Sequence, residues 1–72
     1  MCVRVVRAKG MPFSVDVWVE DRDDGHFTIY VDRALISDRG AKALTSLLTA
    51  SAQRRKRLDA TLVHLALRAV NN

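Results

Sequence analysis

Residues 13–20, FSVDVWVE, alternate strictly: Phe13, Val15, Val17 and Val19 point one way, and Ser14, Asp16, Trp18 and Glu20 the other. Residues 26–32, HFTIYVD, repeat the pattern, with Phe27, Ile29 and Val31 opposed to His26, Thr28, Tyr30 and Asp32. A period of two in β-branched and aromatic residues predicts half-buried strands. The link between them, DRDDG, is short, polar and ends in glycine, as a hairpin loop with a left-handed position requires. Pairing Val19 with Phe27, Val17 with Ile29 and Val15 with Val31 keeps both apolar rows on one face. A one-residue slip would turn one row to water. Residues 2–8, CVRVVRA, predict a third strand with a weaker pattern, and the following KGMPF holds Gly10 and the only proline, which mark a turn. The economical arrangement is an antiparallel meander of strands at about 2–8, 13–20 and 26–32. Its apolar face would be Val3, Val5, Phe13, Val15, Val17, Val19, Phe27, Ile29 and Val31.

After Ile36 the alternation stops and a helical period begins. Ser37 is a good N-cap and Asp38 suits the positive end of a helix dipole. Leu44, Leu47 and Leu48 make one apolar face with Ala41. Leu58, Leu62, Leu65 and Ala69 make another, widened by Val63, Ala66, Leu67 and Val70, so the second stretch is apolar nearly all round and is expected to be buried. Two models fit. In one, helices at about 37–52 and 55–70 are separated by a break near SAQRRKR. In the other, a single helix runs throughout, with positions 44, 48, 51, 55, 58, 62, 65 and 69 as a coiled-coil seam. Ser51 and Arg55 are poor seam residues, although QRRKRLDA itself contains good helix formers and no stop signal. A single helix would be roughly 50 Å long, too long for this sheet to cover. Two helices, or one sharply bent, are therefore preferred. The expectation is an α+β fold of order β-β-β-α-α, with residues 1–72 as one small domain.

Size adds a further expectation. A chain of 72 residues buries little more than about 60% of its unfolded surface, and such domains commonly need a disulfide, a metal or oligomerisation. The single cysteine, Cys2, excludes an internal disulfide, and one thiol with two scattered histidines is a poor metal site. The remaining remedy is a symmetric homodimer, with Leu58, Leu62, Leu65 and Ala69 as its apolar interface. The 49% hydrophobic content argues against disorder, and no run of about eighteen apolar residues exists to cross a membrane. MCVRVVRAKG carries arginines inside its apolar stretch and reads as a strand rather than a secretory signal. With a free cysteine, this gives the expectation of a reducing, cytoplasmic setting.

Charge separates the two halves. Residues 1–36 carry five cations and six acids, for −1; residues 37–72 carry seven cations and two acids, for +5; together they give the net +4. The whole surplus lies in the helical half and suggests a polyanion as partner. Arg54, Arg55, Lys56 and Arg57 are consecutive, with Arg39 and Lys42 at the start of the first helix. On a continuous helix four consecutive cations point in four directions at about 100° intervals and cannot line one phosphate row. At a break they can fan out around a helix N-terminus, itself an anion-binding element.

The remaining chemistry is mostly excluded. DRDDG resembles a calcium loop only in composition, since Arg22 falls at a ligand position and no closing glutamate follows. His64, in LVHLA, has no nucleophile or second ligand at helical spacing, and is expected to be a core or interface residue rather than a base. No glycine-rich phosphate loop and no paired apolar carboxylates occur. The expectation is a non-enzymatic protein with no metal and no cofactor. It would bind nucleic acid, DNA more than RNA, as a homodimer through Arg54, Arg55, Lys56, Arg57, Arg39 and Lys42, in an accessory or regulatory role. No helix-turn-helix signature is present, so base-specific readout is not expected. The competing expectation is a protein-interaction module, of adaptor, inhibitor or antitoxin type. It would use the C-terminal helix or the polar sheet face, where Trp18 and Tyr30 are candidate anchors. Stacking of single-stranded bases on those rings is disfavoured by the acids around them.

Overall fold

The computed structural model describes residues 2–12, 15–22, 24–55 and 57–71. It is α+β: a three-stranded sheet followed by two helices, within extents of 28 × 26 × 18 Å. Strands β1 (Cys2–Ala8), β2 (Val17–Arg22) and β3 (His26–Asp32) lie in the order β1-β3-β2. β2 and β3 form the expected antiparallel hairpin, but β1 pairs with β3 and runs parallel to it, so the sheet is mixed and not an antiparallel meander. The side-chain alternation specifies which face a strand buries, and it is indifferent to which neighbour the strand takes. Residues 9–16 connect β1 to β2 across the end of β3, a span of two strand spacings, or roughly 9.6 Å. The strand with the strongest apolar pattern takes the centre, where both of its edges are paired: Phe27, Ile29 and Val31 are all but fully buried.

The hairpin register differs from the expected one by two residues. Val17 pairs with Val31, Val19 with Ile29 and Asp21 with Phe27. A shift of two preserves the buried face, so the hydrophobic pattern could not distinguish the two registers. β2 accordingly begins at Val17 rather than near 13; Phe13 and Ser14 lie outside the described residues, and Val15 is not in the strand. The ladder continues by one bond, from the Asp32 amide to the Asp16 carbonyl at 3.0 Å. At the other end the turn closes with Gly25 at φ +82°, its amide donating to the Arg22 carbonyl at 3.1 Å. The Asp24 carboxylate accepts from the His26 amide at 3.2 Å and lies 3.0 Å from its Nδ1. Lost hydration is the largest single influence and raises the Asp24 carboxyl, but the two hydrogen bonds from His26, the charge of His26 and the backbone of the turn together outweigh it and hold the carboxyl below its ordinary value.

Helices α1 (Asp38–Arg55) and α2 (Ala60–Asn71) cover the apolar face of the sheet, α1 over β1 and α2 against β2 and α1. Ser37 caps α1 as expected, its hydroxyl accepting from the Gly40 amide at 3.1 Å. The chain does break between the helices, so one continuous helix is excluded; α1 runs to Arg55 and α2 starts at Ala60, later than the expected 55. Asp59 sets that start: its carboxylate accepts from the Leu62 amide at 2.8 Å and its carbonyl from the Val63 amide at 3.1 Å. The side-chain amide of Asn71 donates to the Leu35 carbonyl at 2.9 Å, which brings the end of α2 back beside the start of α1. The helices therefore run antiparallel.

The core lies between the two layers. Ile29, Val31, Leu44, Leu48 and Val63 are its largest fully buried side chains. Fully burying each contributes about 1.5–3 kcal/mol. The face that periodicity assigned to a partner is largely covered within the chain: Leu58, Val63, Ala66 and Leu67 are buried, and Leu62 and Val70 pack against the core. Leu65 and Ala69 stay exposed on one flank of α2. His64 is also exposed, so of the two expected positions it does not take the core one. Its neighbour Val63 takes the centre of the buried face, and one residue along a helix turns the side chain by about 100°.

Candidate functional site

A basic concavity and an aromatic one lie on the surface of the described residues. The basic one lies at the joint between the helices, has a volume of about 280 Å³, and is lined by Arg55, Arg57, Asp59, Thr61, Leu62 and Leu65. Arg54 and Arg55 form the last turn of α1, and Arg57 stands in the break; all three are exposed. Lys56 lies outside the described residues. On α1 the position of Arg55 is aligned with buried Leu48 and Ser51, but its side chain is exposed and lines the concavity at the start of α2. The break brings Arg55 and Arg57 around the first turn of α2, where outward-facing backbone amides favour negative charge. Asp59 is the counterweight, since its carboxylate caps the helix and lies in the same concavity.

Arg39 and Lys42 are not part of this group. They occupy the first turns of α1, and Arg54 lies 12 residues beyond Lys42, or about 18 Å at 1.5 Å per residue. The outward side of α1 carries Arg39, Lys42, Ser46, Ala50, Gln53 and Arg54, all exposed. The cations therefore sit at the two ends of a helix with uncharged residues between them. The expected interface residues divide as well. Leu58 is a core residue, Leu62 and Leu65 line the basic concavity, and Ala69 is exposed beyond them.

The aromatic concavity lies on the sheet face turned away from the helices, with a volume of about 360 Å³. Trp18 and Tyr30 are direct partners in the β2/β3 ladder and form its floor, with Trp18 50% exposed. Ala8, Gly10, Met11 and Pro12 form one wall, and Glu20 lies two residues along β2 from Trp18. The Tyr30 hydroxyl donates to Glu20 Oε2 at 3.4 Å. Sequence pattern placed Trp18, Glu20 and Tyr30 on one face but did not single out Glu20. The wall from residues 8–12 depends on the path of the β1–β2 connection, in which Gly10 takes φ +71°. Asp59 had a readable local signal, an N-cap residue just before an apolar helix.

Among the described residues no group of three histidine, cysteine or carboxylate side chains is placed to hold a metal ion, and Cys2 is free and exposed. No described helix is long and apolar enough to cross a membrane. No protein-family model, no curated protein and no solved structure matches this chain.

Proposed function

We propose that the protein binds nucleic acid, duplex DNA in first place, through phosphate contacts from Arg54, Arg55 and Arg57 at the helix joint, in an accessory or regulatory role. The observation that carries this reading is the convergence of Arg55, at the end of α1, and Arg57, in the break, beside the N-terminal turn of α2. Guanidinium groups suit phosphate through paired, parallel hydrogen bonds, and the helix terminus adds a favourable dipole. The +5 charge of residues 37–72 extends that field. Arg39 and Lys42 belong to the proposal as a second, weaker contact at the far end of α1. The function requires no catalytic step and no cofactor, and an exposed Cys2 thiol suits a reducing, cytoplasmic setting.

A homodimer is the assembly we attach to this reading, because two copies would present the joint twice along a duplex. The flank formed by Leu62, Leu65 and Ala69 supports it, Leu65 being 58% exposed. A sedimentation mass near 8.1 kDa at micromolar concentration overturns the dimer and leaves the phosphate contacts untouched.

The deciding experiment is a titration of fluorescent duplex and single-stranded DNA at 50 and 200 mM salt. It compares the wild-type protein with a variant carrying Arg54→Gln, Arg55→Gln and Arg57→Gln. The expected result is binding that weakens steeply with salt and a variant with a shallower slope, by about one unit of log K per log salt for each arginine–phosphate pair removed. Binding indifferent to salt, or to the triple change, overturns the reading. A protein-interaction module is the second reading, supported by the half-exposed Trp18 beside a formed concavity.

A further inference from the structure

We propose that the concavity over Trp18 and Tyr30 is a cation site that takes a lysine side chain presented by a partner polypeptide. The inference stands apart from the nucleic-acid reading, since it uses the opposite face of the sheet and a ligand of opposite charge.

Three observations carry it. Trp18 and Tyr30 are ladder partners on the open face, so two aromatic rings stand side by side in front of solvent. A cation lying over such rings is attracted by their negative faces, Trp the most strongly. Glu20 is on the same face two residues from Trp18, and among the described residues it is the only charged one lining the concavity. Its single close contact among the described residues is the long one from the Tyr30 hydroxyl, and no lysine or arginine pairs with it there. A carboxylate beside two rings is complementary to an ammonium and repels a phosphate backbone, so base stacking is the wrong use for these aromatics. The remaining wall, Ala8, Met11 and Pro12, is apolar. Together with a volume of about 360 Å³, this is more than a bare ammonium fills and matches a four-carbon stem lying along the wall.

Arg22 is the nearest cation on this face, two residues along β2 from Glu20 or roughly 7 Å, on the side away from Trp18 and outside the lining of the concavity; the next is Arg4. Arg4 pairs in the ladder with Thr28, whose partner on the other side is Glu20, so it stands two strand spacings away, roughly 9.6 Å. It leaves the Glu20 side of the concavity open. Asp16 and Asp32 lie towards the same end of the sheet, adding to the negative field that favours a basic peptide.

The test uses Trp18 as its own reporter, because it is the only tryptophan in the chain. Its fluorescence is followed while acetyl-Ala-Lys-Ala-amide, the same peptide with norleucine for lysine, or choline is added to the full chain. The lysine peptide is expected to saturate the signal with a dissociation constant on the order of 1 mM, and the norleucine peptide to bind about tenfold more weakly. Glu20→Gln, an exposed change that keeps both rings, is expected to weaken the lysine peptide about tenfold and to leave the norleucine peptide unaffected. Equal binding of the two peptides, or an unchanged Glu20→Gln variant, overturns the proposal. Saturation by choline without saturation by the lysine peptide also overturns it, and assigns the site to a free organic cation instead. Absence of any saturable signal up to about 20 mM ligand removes the site altogether. The DNA titration above is independent of every one of these outcomes.

Discussion

The Nε of Arg7 donates to the main-chain carbonyl of Ile36 at 2.9 Å. The same guanidinium pairs through Nη1 with the Asp38 carboxylate, in the first turn of α1, and reaches the Arg33 carbonyl through Nη2 at 3.5 Å. Arg7 shares the inner face of β1 with Val3 and Val5, so its chain runs under the start of α1 and its charged end emerges there. One side chain thus ties the edge strand to the connection between β3 and α1.

Replacing Arg7 with methionine, which keeps most of the stem, is expected to destabilise the fold by about 1–3 kcal/mol. Arg7→Lys is expected to recover only part of this, because an ammonium cannot reproduce the fork that serves two carbonyls and a carboxylate. Urea unfolding of the three proteins checks it. A lysine variant as stable as wild type would show that charge alone, near Asp38, accounts for the contact.

Gly40 lies in the first turn of α1, where helix propensity favours alanine by about 1 kcal/mol. A Cβ there would stand 2.8 Å from Cγ1 of Ile36 and 3.3 Å from the Ser37 hydroxyl that caps the helix. Ile36 is buried and cannot swing away. Overpacking of this kind costs about 1–3 kcal/mol, so Gly40→Ala is expected to lose about 1 kcal/mol net. A raised melting temperature for Gly40→Ala would mean that Ile36 yields.

Asp59 has two roles with opposite signs. It caps α2, so Asp59→Ala is expected to destabilise by about 1 kcal/mol. It also sets a carboxylate among Arg55 and Arg57. Asp59→Asn keeps a good cap and removes the charge. It is expected to leave stability within about 0.5 kcal/mol of wild type and to tighten duplex DNA binding about three- to tenfold at low salt. Unfolding curves and fluorescence anisotropy separate the two roles. Unchanged or weaker DNA binding by Asp59→Asn would remove the helix joint as the phosphate site.

In the β2–β3 turn the Asp24 carboxyl is more acidic in the folded protein than in the unfolded chain, because its contacts with His26 and the turn backbone together outweigh the rise from lost hydration. For a depressed carboxyl the linked stability is present above the unfolded value and is lost as pH falls through the folded one. A carbon-detected NMR titration should therefore place Asp24 below the ordinary aspartate midpoint, and His26→Ala should move it back up. An Asp24 midpoint unaffected by His26→Ala would assign the shift to the turn backbone.

Much of the fold was legible as pattern. The limits of β1 and β3, the hairpin, the Ser37 cap and the presence of two helices all follow from alternation, capping chemistry and the spacing of leucines. The misses share a cause. The antiparallel meander failed because Val3 and Val5 need only face inward, and they do so equally well beside β2 or beside β3. The hairpin slipped by two because Val17 opposite Ile29 and Val17 opposite Val31 bury the same face. The dimer is not among these misses and stays with the proposal, but α2 finds most of its cover on β2 and α1, which narrows the flank left for a second copy to Leu62, Leu65 and Ala69.

The sequence by itself determined the local conformations, the buried face of each strand and the basic surplus of the helical half, because these depend on neighbours within a few residues. Only the tertiary structure decided the order of strands, the separation of Arg39 and Lys42 from Arg54, the meeting of Arg55 and Arg57 at the start of α2, and the closing of residues 8–12 over Trp18 and Tyr30. Those depend on the path of the two connections, 9–16 and 56–59. Hydrophobic periodicity carries no information about a path, since it specifies which side of a segment is buried and leaves open what buries it.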